Sequence, residues 1–215
     1  MSGLHTVDMQ YFEELRERIN ALLLELGATY AQQQIRQYTW LYGALGAVPA
    51  PVMFICENPS LAGVKSGHVN TPDGGPPDIE GQWWGGPRNN AAKRFRVVLC
   101  ETGLKTTPPA TRGGWRCYIT NLVKEANVAS DQNDLPWSVR QRQSRDWADL
   151  LAWELGHVQP EHVFCVGQKS STLVRMLQRE DRLPNFHATM ISHYSKRGAD
   201  EVIRREMTEA IQAVI

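Results

Sequence analysis

The chain has 215 residues, of which 42% are hydrophobic and 21% charged, and its formal net charge at pH 7 is zero. This length and balance are typical of a single globular domain, so we expect residues 1–215 to fold as one unit. No apolar run approaches the ~18 residues of a membrane-spanning helix, and a neutral chain leaves any nucleic-acid contact to local basic patches.

Helical and extended patterns alternate along the chain. An N-terminal helical part is predicted over residues 1–47, with a first helix that Asp8 caps and that continues to Gly27, and a second helix at 31–45. The later segments have apolar runs without polar interruptions, which favour a parallel sheet covered on both faces and hence a three-layer α/β sandwich. The predicted strands are 51–56, 115–122, 161–167 and 185–192, and the further predicted helices are 90–103, 138–156, 168–180 and 198–214.

Cysteine usage and the N-terminus both indicate a cytoplasmic protein. The N-terminus has no basic segment followed by an apolar core, so no signal peptide is expected. No cysteine pair has CxxC spacing and none has a histidine at metal-ligand spacing, which predicts buried reduced thiols, no metal and no cofactor. The four cysteines, each inside an apolar run, are Cys56, Cys100, Cys117 and Cys165.

Two segments do not fit the alternating pattern. Residues 65–88 are rich in glycine and proline and contain the adjacent Trp83 and Trp84, and residues 124–137 are polar. Both follow predicted strand ends, where open α/β sheets bind their ligands. Long loops in a compact domain are either functional or disordered, and two adjacent indoles argue against disorder. Coverage of the core explains either tryptophan alone about equally well.

Motifs at the predicted strand ends occur in one order: ICENPS, CYITNLVKEAN, the run WADLLAWELGHVQPEHVFCVGQKSSTLV, and SHYSKRG. Together they resemble the uracil-DNA glycosylase superfamily over roughly residues 50–195. The first resembles G-E-A-P-G of its iron–sulfur branch and G-I-N-P-G of its mismatch-specific branch. The second is similar to the iron–sulfur branch's Y-I-T-N-V-V-K-C-R-P, and the last stands where the superfamily has H-P-S. One such motif is a weak signal, whereas four in order are specific.

The resemblance implies a central four-stranded parallel sheet of order 2-1-3-4 and a monofunctional DNA glycosylase. Such an enzyme flips a modified base out of DNA, hydrolyses its N-glycosidic bond and leaves an abasic site. The expected partner is double- or single-stranded DNA, and a monomer without a membrane contact is expected. Glu125 stands where the iron–sulfur branch has a cluster cysteine, so no cluster is expected, and Tyr194 replaces the proline of H-P-S.

Three residues match the catalytic positions of the superfamily. Hydrolysis through an oxocarbenium-like sugar requires a positioned water. Asn58 matches the mismatch branch's amide and is expected to position that water, while Glu57, which matches the iron–sulfur branch's acid, either polarises the water or holds the loop. His193 matches the histidine of H-P-S, which hydrogen-bonds the base oxygen as negative charge develops there. The alternative for Glu57 and His193 is a strand-end side chain bonded to neighbouring backbone.

Further residues are expected to hold the base and the DNA backbone. Asn121 matches the asparagine that pairs with the base edge, and Trp84 falls where the iron–sulfur branch has a phenylalanine that stacks on the flipped ring. Trp83 and Ser60 complete the predicted base-binding set. Predicted DNA contacts are Lys196 and Arg197, where the superfamily inserts a loop into the duplex, and Lys169 and Ser170 at a helix N-terminus.

The identity of the base depends on the inserted loop 65–88. Its glycines and prolines can form an irregular wall, and its acidic and amide side chains could accept hydrogen bonds from hydroxyl groups. We lean towards a bulky modified pyrimidine such as glucosylated hydroxymethylcytosine of phage DNA, which implies antiviral defence; uracil excision in DNA repair is nearly as good an interpretation. Rivals of other classes are a non-catalytic reader of modified DNA and a nucleotide-binding protein that uses GQKSS as a phosphate nest.

Overall fold

The computed structural model describes residues 9–27, 44–59, 90–106, 113–125, 135–194, 196 and 198–215. These segments contain five strands and six helices. The strands are β1 (Ala44–Gly46), β2 (Val52–Cys56), β3 (Cys117–Asn121), β4 (His162–Val166) and β5 (Ala188–Ile191). The helices are α1 (Met9–Glu25), α2 (Asn90–Glu101), α3 (Trp137–Asp146), α4 (Ala148–Val158), α5 (Gln168–Arg179) and α6 (Asp200–Gln212).

The strands form one sheet in the order β1-β3-β2-β4-β5. Strands β2 to β5 pair in parallel, and β1 is antiparallel to β3. The prediction of an α/β domain with a mainly parallel sheet is confirmed. The prediction of a four-stranded sheet is wrong, because β1 adds a fifth strand at the edge; counted among themselves, the four parallel strands stand in the order 2-1-3-4.

Two residues of the extra strand β1, Ala44 and Leu45, fall within the predicted helix 31–45, and Gly46 directly follows it. All three residues of β1 are buried, and buried residues of this kind are compatible with a helix as well as with a strand. Gly46 permits the pairing: its φ is 129°, and a Cβ there would lie 2.1 Å from the carbonyl oxygen of Cys117. The close approach of these two backbones therefore depends on the absence of a side chain. Residues 31–43 lie outside the described residues.

The helix predicted at 138–156 is two helices, α3 and α4, which meet at Trp147. Trp147 is fully buried, and its indole Nε1 donates a hydrogen bond to Oε1 of Glu125 at 3.1 Å. Its backbone has φ −99° and ψ 0°, which ends one helix and begins the next. The sequence did not reveal this break, because neither a glycine nor a proline stands near Trp147. Asp8, the predicted cap of α1, lies outside the described residues.

Helices cover both faces of the sheet, as the three-layer prediction requires. Phe54 in β2 packs against Phe95 of α2, with ring centroids 5.2 Å apart. Tyr118 in β3 contacts Tyr11 of α1. Because Phe54 pairs with Ile119, Phe54 and Tyr118 point to opposite faces, so α1 and α2 lie on different sides. Every helix in the described segments is too short or too polar to cross a bilayer.

A buried polar network joins α1, β3 and α4. Tyr118 donates to Oε1 of Glu154 at 2.6 Å and shares a 2.7 Å hydrogen bond with the hydroxyl of Tyr11. Thr120 donates to the same carboxylate oxygen at 2.7 Å. Lys124 pairs with the other oxygen at 2.7 Å, and the side chains of Lys124 and Glu154 are 1% and 0% exposed. Their full burial makes each charge dependent on the other.

We predict that Lys124→Met lowers the free energy of unfolding by ~3–5 kcal/mol, because it leaves the Glu154 carboxylate buried without its cation. Asp149→Asn is the control, since Asp149 is 87% exposed in its pair with Arg182, and such a pair contributes at most ~1 kcal/mol. Urea unfolding measures both. Equal losses for the two variants would contradict a stabilising role of the buried pair.

Candidate active site

The carboxyl ends of the four parallel strands lie level with one another. Cys56 at the end of β2 pairs with Asn121 at the end of β3. On the other side of β2, Ile55 pairs with Cys165, and Val166 at the end of β4 pairs with Ile191 at the end of β5. Residues that follow these ends therefore share one edge of the sheet, here called the carboxyl edge. Those that we predicted as site residues are Glu57, Asn58, Asn121, Lys169, Ser170 and His193.

The turn after β2 is held by backbone hydrogen bonds to the segment after β3. The carbonyl of Cys56 accepts from the Leu122 amide at 2.8 Å, and that of Glu57 accepts from Val123 at 2.9 Å. The Asn58 side chain is half-buried and donates from Nδ2 to the carbonyl of Pro59 at 3.0 Å. This bond fixes the amide plane through its nitrogen. The Oδ1 atom is then the end of the side chain suited to accept a hydrogen bond from water.

Glu57 forms an ion pair with Arg140 of α3. The Arg140 Nη1 donates to Oε1 of Glu57, and its Nε donates to the carbonyl of Leu135 at 3.3 Å. The side chains are 4% exposed for Arg140 and 17% for Glu57. Burial lowers the pKa of Arg140. The contact links the turn after β2 to the first turn of α3, where Arg140 donates its backbone amide to Pro136.

Two further basic groups stand beside this pair. Burial lowers the pKa of Lys169, and the charge of Arg140 lowers it further. The pKa of His193 is also lowered, first by burial and then by the charge of Lys169. Along the carboxyl edge, Arg140 thus interacts electrostatically with Lys169, and Lys169 with His193. This arrangement favours anions and holds His193 as the neutral imidazole near pH 7.

His193 packs against Gly167 at the start of α5. Gly167 has φ 89°, and a Cβ there would lie 3.2 Å from Cβ and 3.3 Å from Cδ2 of His193. The Gly167 amide also donates to the carbonyl of Ile191 at 2.9 Å. The glycine thus permits the helix start and the histidine to approach closely.

The segment after His193 is fixed by two neighbouring residues of α2. The Tyr194 ring stacks between His193, at 4.4 Å between centroids, and Phe95, at 5.5 Å. Arg94 Nη1 donates to the carbonyls of Tyr194 at 3.0 Å and Lys196 at 2.9 Å. Arg94 also donates from Nε to Oδ1 of Asp200 at 2.7 Å. Tyr194, which replaces the proline of H-P-S, therefore has a packing role of its own.

Two predicted DNA contacts have internal partners. Ser170 is buried, and its hydroxyl donates to the carbonyl of Ile55 at 2.7 Å. The Ser170 hydroxyl is therefore not available to a phosphate. Lys196 is exposed and pairs with Glu206 at 3.0 Å.

The thiol of Cys56, directly before Glu57, is not a nucleophile. Burial raises its pKa to about 12, so the thiolate is scarce at neutral pH. All four cysteines are free, and Cys100 alone among them is only partly buried. Within the described segments, no group of three or more His, Cys, Asp or Glu side chains has the arrangement of a metal site.

Several predicted site residues lie outside the described residues. They are Ser60, Trp83, Trp84 and Arg197, together with the inserted loop 65–88. Conversely, Arg140 and Arg94 contact the carboxyl edge or the segment that follows it, and neither was predicted. Little in the sequence points to either: Arg140 lies in a polar helical stretch typical of a solvated face, and Arg94 is one of three basic residues in the first turns of α2. The one hint for Arg140 is its position one turn after the polar loop 124–137.

Comparison of the chain with protein-family models gives no match, and comparison with curated proteins gives none either.

We predict that His193 makes stability depend on pH below 6.5. Because the folded state lowers the His193 pKa, the unfolded chain binds more protons just below pH ~6.5, and stability falls as pH decreases through that window. His193→Gln should flatten the decline in unfolding free energy between pH 7 and 5. His187→Gln, which removes an exposed imidazole, is the control. Parallel curves for wild type and His193→Gln would contradict the prediction.

Proposed function

We propose that the protein is a monofunctional DNA glycosylase that flips a modified base and hydrolyses its N-glycosidic bond. The observation that carries the proposal is the shared carboxyl edge. Glu57, Asn58, Asn121 and His193 come from the ends of three different strands and are up to 136 positions apart in the chain. The four-motif resemblance assigns these same residues to the chemistry of base excision.

Each residue type suits a step of the reaction. Asn58 can accept a hydrogen bond from a water and orient it towards the sugar. As the bond to the base breaks, its electron pair leaves on the base, and a donor placed at a base oxygen stabilises that charge. A neutral His193 carries one N–H for this purpose. Asn121 has both a donor and an acceptor for the base edge.

Electrostatics of the edge support DNA as the partner. Lys169 at the start of α5 presents a positive charge to solvent, whereas the buried Arg140 is paired with the carboxylate of Glu57. A local excess of positive charge attracts phosphates even though the chain has no net charge. The exposed Lys196 follows the same edge on the segment after β5.

The base that we favour is a bulky modified pyrimidine, such as glucosylated hydroxymethylcytosine of phage DNA. Support for this comes from the sequence of the inserted loop, whose hydrogen-bond acceptors suit a hydroxyl-rich substituent. Excision of uracil remains the alternative substrate.

We predict that the wild-type protein converts modified duplex DNA into alkali-cleavable abasic sites, and that EDTA does not stop it. Asn58→Ala should lower the single-turnover rate by at least ~10²-fold, because the water loses its positioning group in the transition state. DNA affinity should change little. Asn185→Ala, at the exposed amino end of β5, is the matched control. Near-normal turnover by Asn58→Ala would refute the assignment, and binding of modified DNA without cleavage would identify a reader instead.

We predict that the protein releases the base faster from a duplex carrying glucosylated hydroxymethylcytosine than from duplexes carrying hydroxymethylcytosine, hypoxanthine or uracil. The physical reason is that the carboxylate and amide acceptors in the sequence of loop 65–88 suit the added hydroxyl groups, which a small base does not offer. Gel analysis after alkali treatment measures all four rates. Rapid release of uracil with no activity on the bulky bases would instead establish uracil excision.

A further inference from the structure

We propose that Arg140 is a positioning residue of the carboxyl edge, which holds the Glu57 carboxylate so that Glu57 anchors the turn carrying Asn58 and does not accept the proton of the attacking water. The inference rests on the proposed function and assigns roles within the same site.

The guanidinium of Arg140 and the carboxylate of Glu57 form an ion pair with each other. Arg140 is almost fully buried, and its guanidinium donates to the Glu57 carboxylate and to the Leu135 carbonyl. A buried guanidinium without an anion is costly, so the pair is retained in the folded protein. The side chain of Glu57 is therefore bonded to Arg140 of α3, and its backbone carbonyl accepts a hydrogen bond from the amide of Val123. Two attachments on one residue fix the turn in which Asn58 is the next residue.

A carboxylate in this setting is a poor proton acceptor. A general base works best when its pKa lies near the operating pH, and an adjacent guanidinium favours the charged form of a carboxylate. The other titratable groups that follow strand ends on this edge are Lys169 at the start of α5, Lys124, which is paired with Glu154, and Glu125, which accepts a hydrogen bond from Trp147. His193 after β5 is also titratable, and burial, followed by the charge of Lys169, lowers its pKa.

The reaction balances without a protein base at Glu57. The bond between C1′ and the base nitrogen breaks, and its electron pair leaves on the base. The oxygen of the water held by Asn58 then bonds to C1′, and one proton of that water passes through solvent to the departing base. The products are the neutral free base and an abasic sugar with a hydroxyl at C1′.

The roles predict different results for four variants. Arg140→Met should lower the single-turnover rate about tenfold or more while leaving the Kd for DNA nearly unchanged, because the turn is displaced but phosphate contacts remain. Arg140→Lys should recover part of that rate, since it restores the charge without the guanidinium fork. Glu57→Gln keeps the shape and one acceptor oxygen for Arg140 but cannot take a proton, so it should retain far more activity than Asn58→Ala. Arg142→Met, an exposed arginine two positions along α3, is the control for loss of charge.

Urea unfolding provides a readout that does not depend on activity. If the pair acts as a unit, Glu57→Gln combined with Arg140→Met should shift the unfolding midpoint no more than Arg140→Met alone. Additive midpoint shifts would overturn the ion pair on which the role depends. If Arg140→Met is too unstable for kinetics, Arg140→Lys replaces it in a double-mutant cycle with Glu57→Gln. The unfolding midpoints then still test whether the two residues act as a pair.

The outcomes separate this inference from the proposed function. If the wild type releases no base from any duplex, the proposed function fails and the positioning role falls with it. If the wild type is active and Arg140→Met is equally fast, the positioning role alone is wrong. Weaker DNA binding at an unchanged rate would make Arg140 a phosphate contact. A loss in Glu57→Gln as large as that in Asn58→Ala would make Glu57 the proton acceptor. Each of these last two results overturns the inference.

Discussion

Parallel pairing of β2, β3, β4 and β5 is the constraint on which the candidate site depends. Backbone hydrogen bonds set the strand ends level, so side chains distant in sequence meet without any direct attraction between them. A slip of β2 by one residue would move Glu57 and Asn58 by ~3.3 Å and turn the buried side chains of the strand to the opposite face. All five residues of β2 are buried, which opposes such a slip. The core therefore maintains the geometry of the edge.

Under the proposed function, the charge balance of the edge has to meet two opposite demands. A cationic sugar is best stabilised by negative charge, whereas a departing base and the DNA phosphates are best stabilised by positive charge. With Glu57 already paired to Arg140 and Lys169 nearby, the balance favours the anionic groups. A neutral His193 fits this setting, because a third full positive charge beside Lys169 would be repelled. The reaction at such an edge would gain most from stabilisation of the leaving base.

Local signals in the sequence predict the strand ends well and the contacts between distant elements poorly. The apolar run 51–56 is followed by the polar Glu57, so the end of β2 was predicted at the correct residue, whereas the predicted strand 161–167 extends one residue beyond the end of β4 at Val166. The partner of Glu57 could not be predicted, because Arg140 is 83 positions away and the polar stretch around it contains other arginines. The fifth strand was missed for a related reason: its three apolar residues carry no periodicity of their own. Both the Glu57–Arg140 pair and the fifth strand depend on packing between distant elements and not on local sequence preference.

The contacts of Arg94 connect two parts of the molecule that the sequence separates widely. Helix α2 begins at Asn90, directly after the inserted loop 65–88, and Arg94 lies one turn further along. Arg94 donates hydrogen bonds to the carbonyls of Tyr194 and Lys196, next to the stacked rings of His193 and Tyr194. Arg94 thus ties the amino end of α2 to the segment that follows β5. A displacement of this end of α2 would be transmitted through these hydrogen bonds to the backbone next to His193.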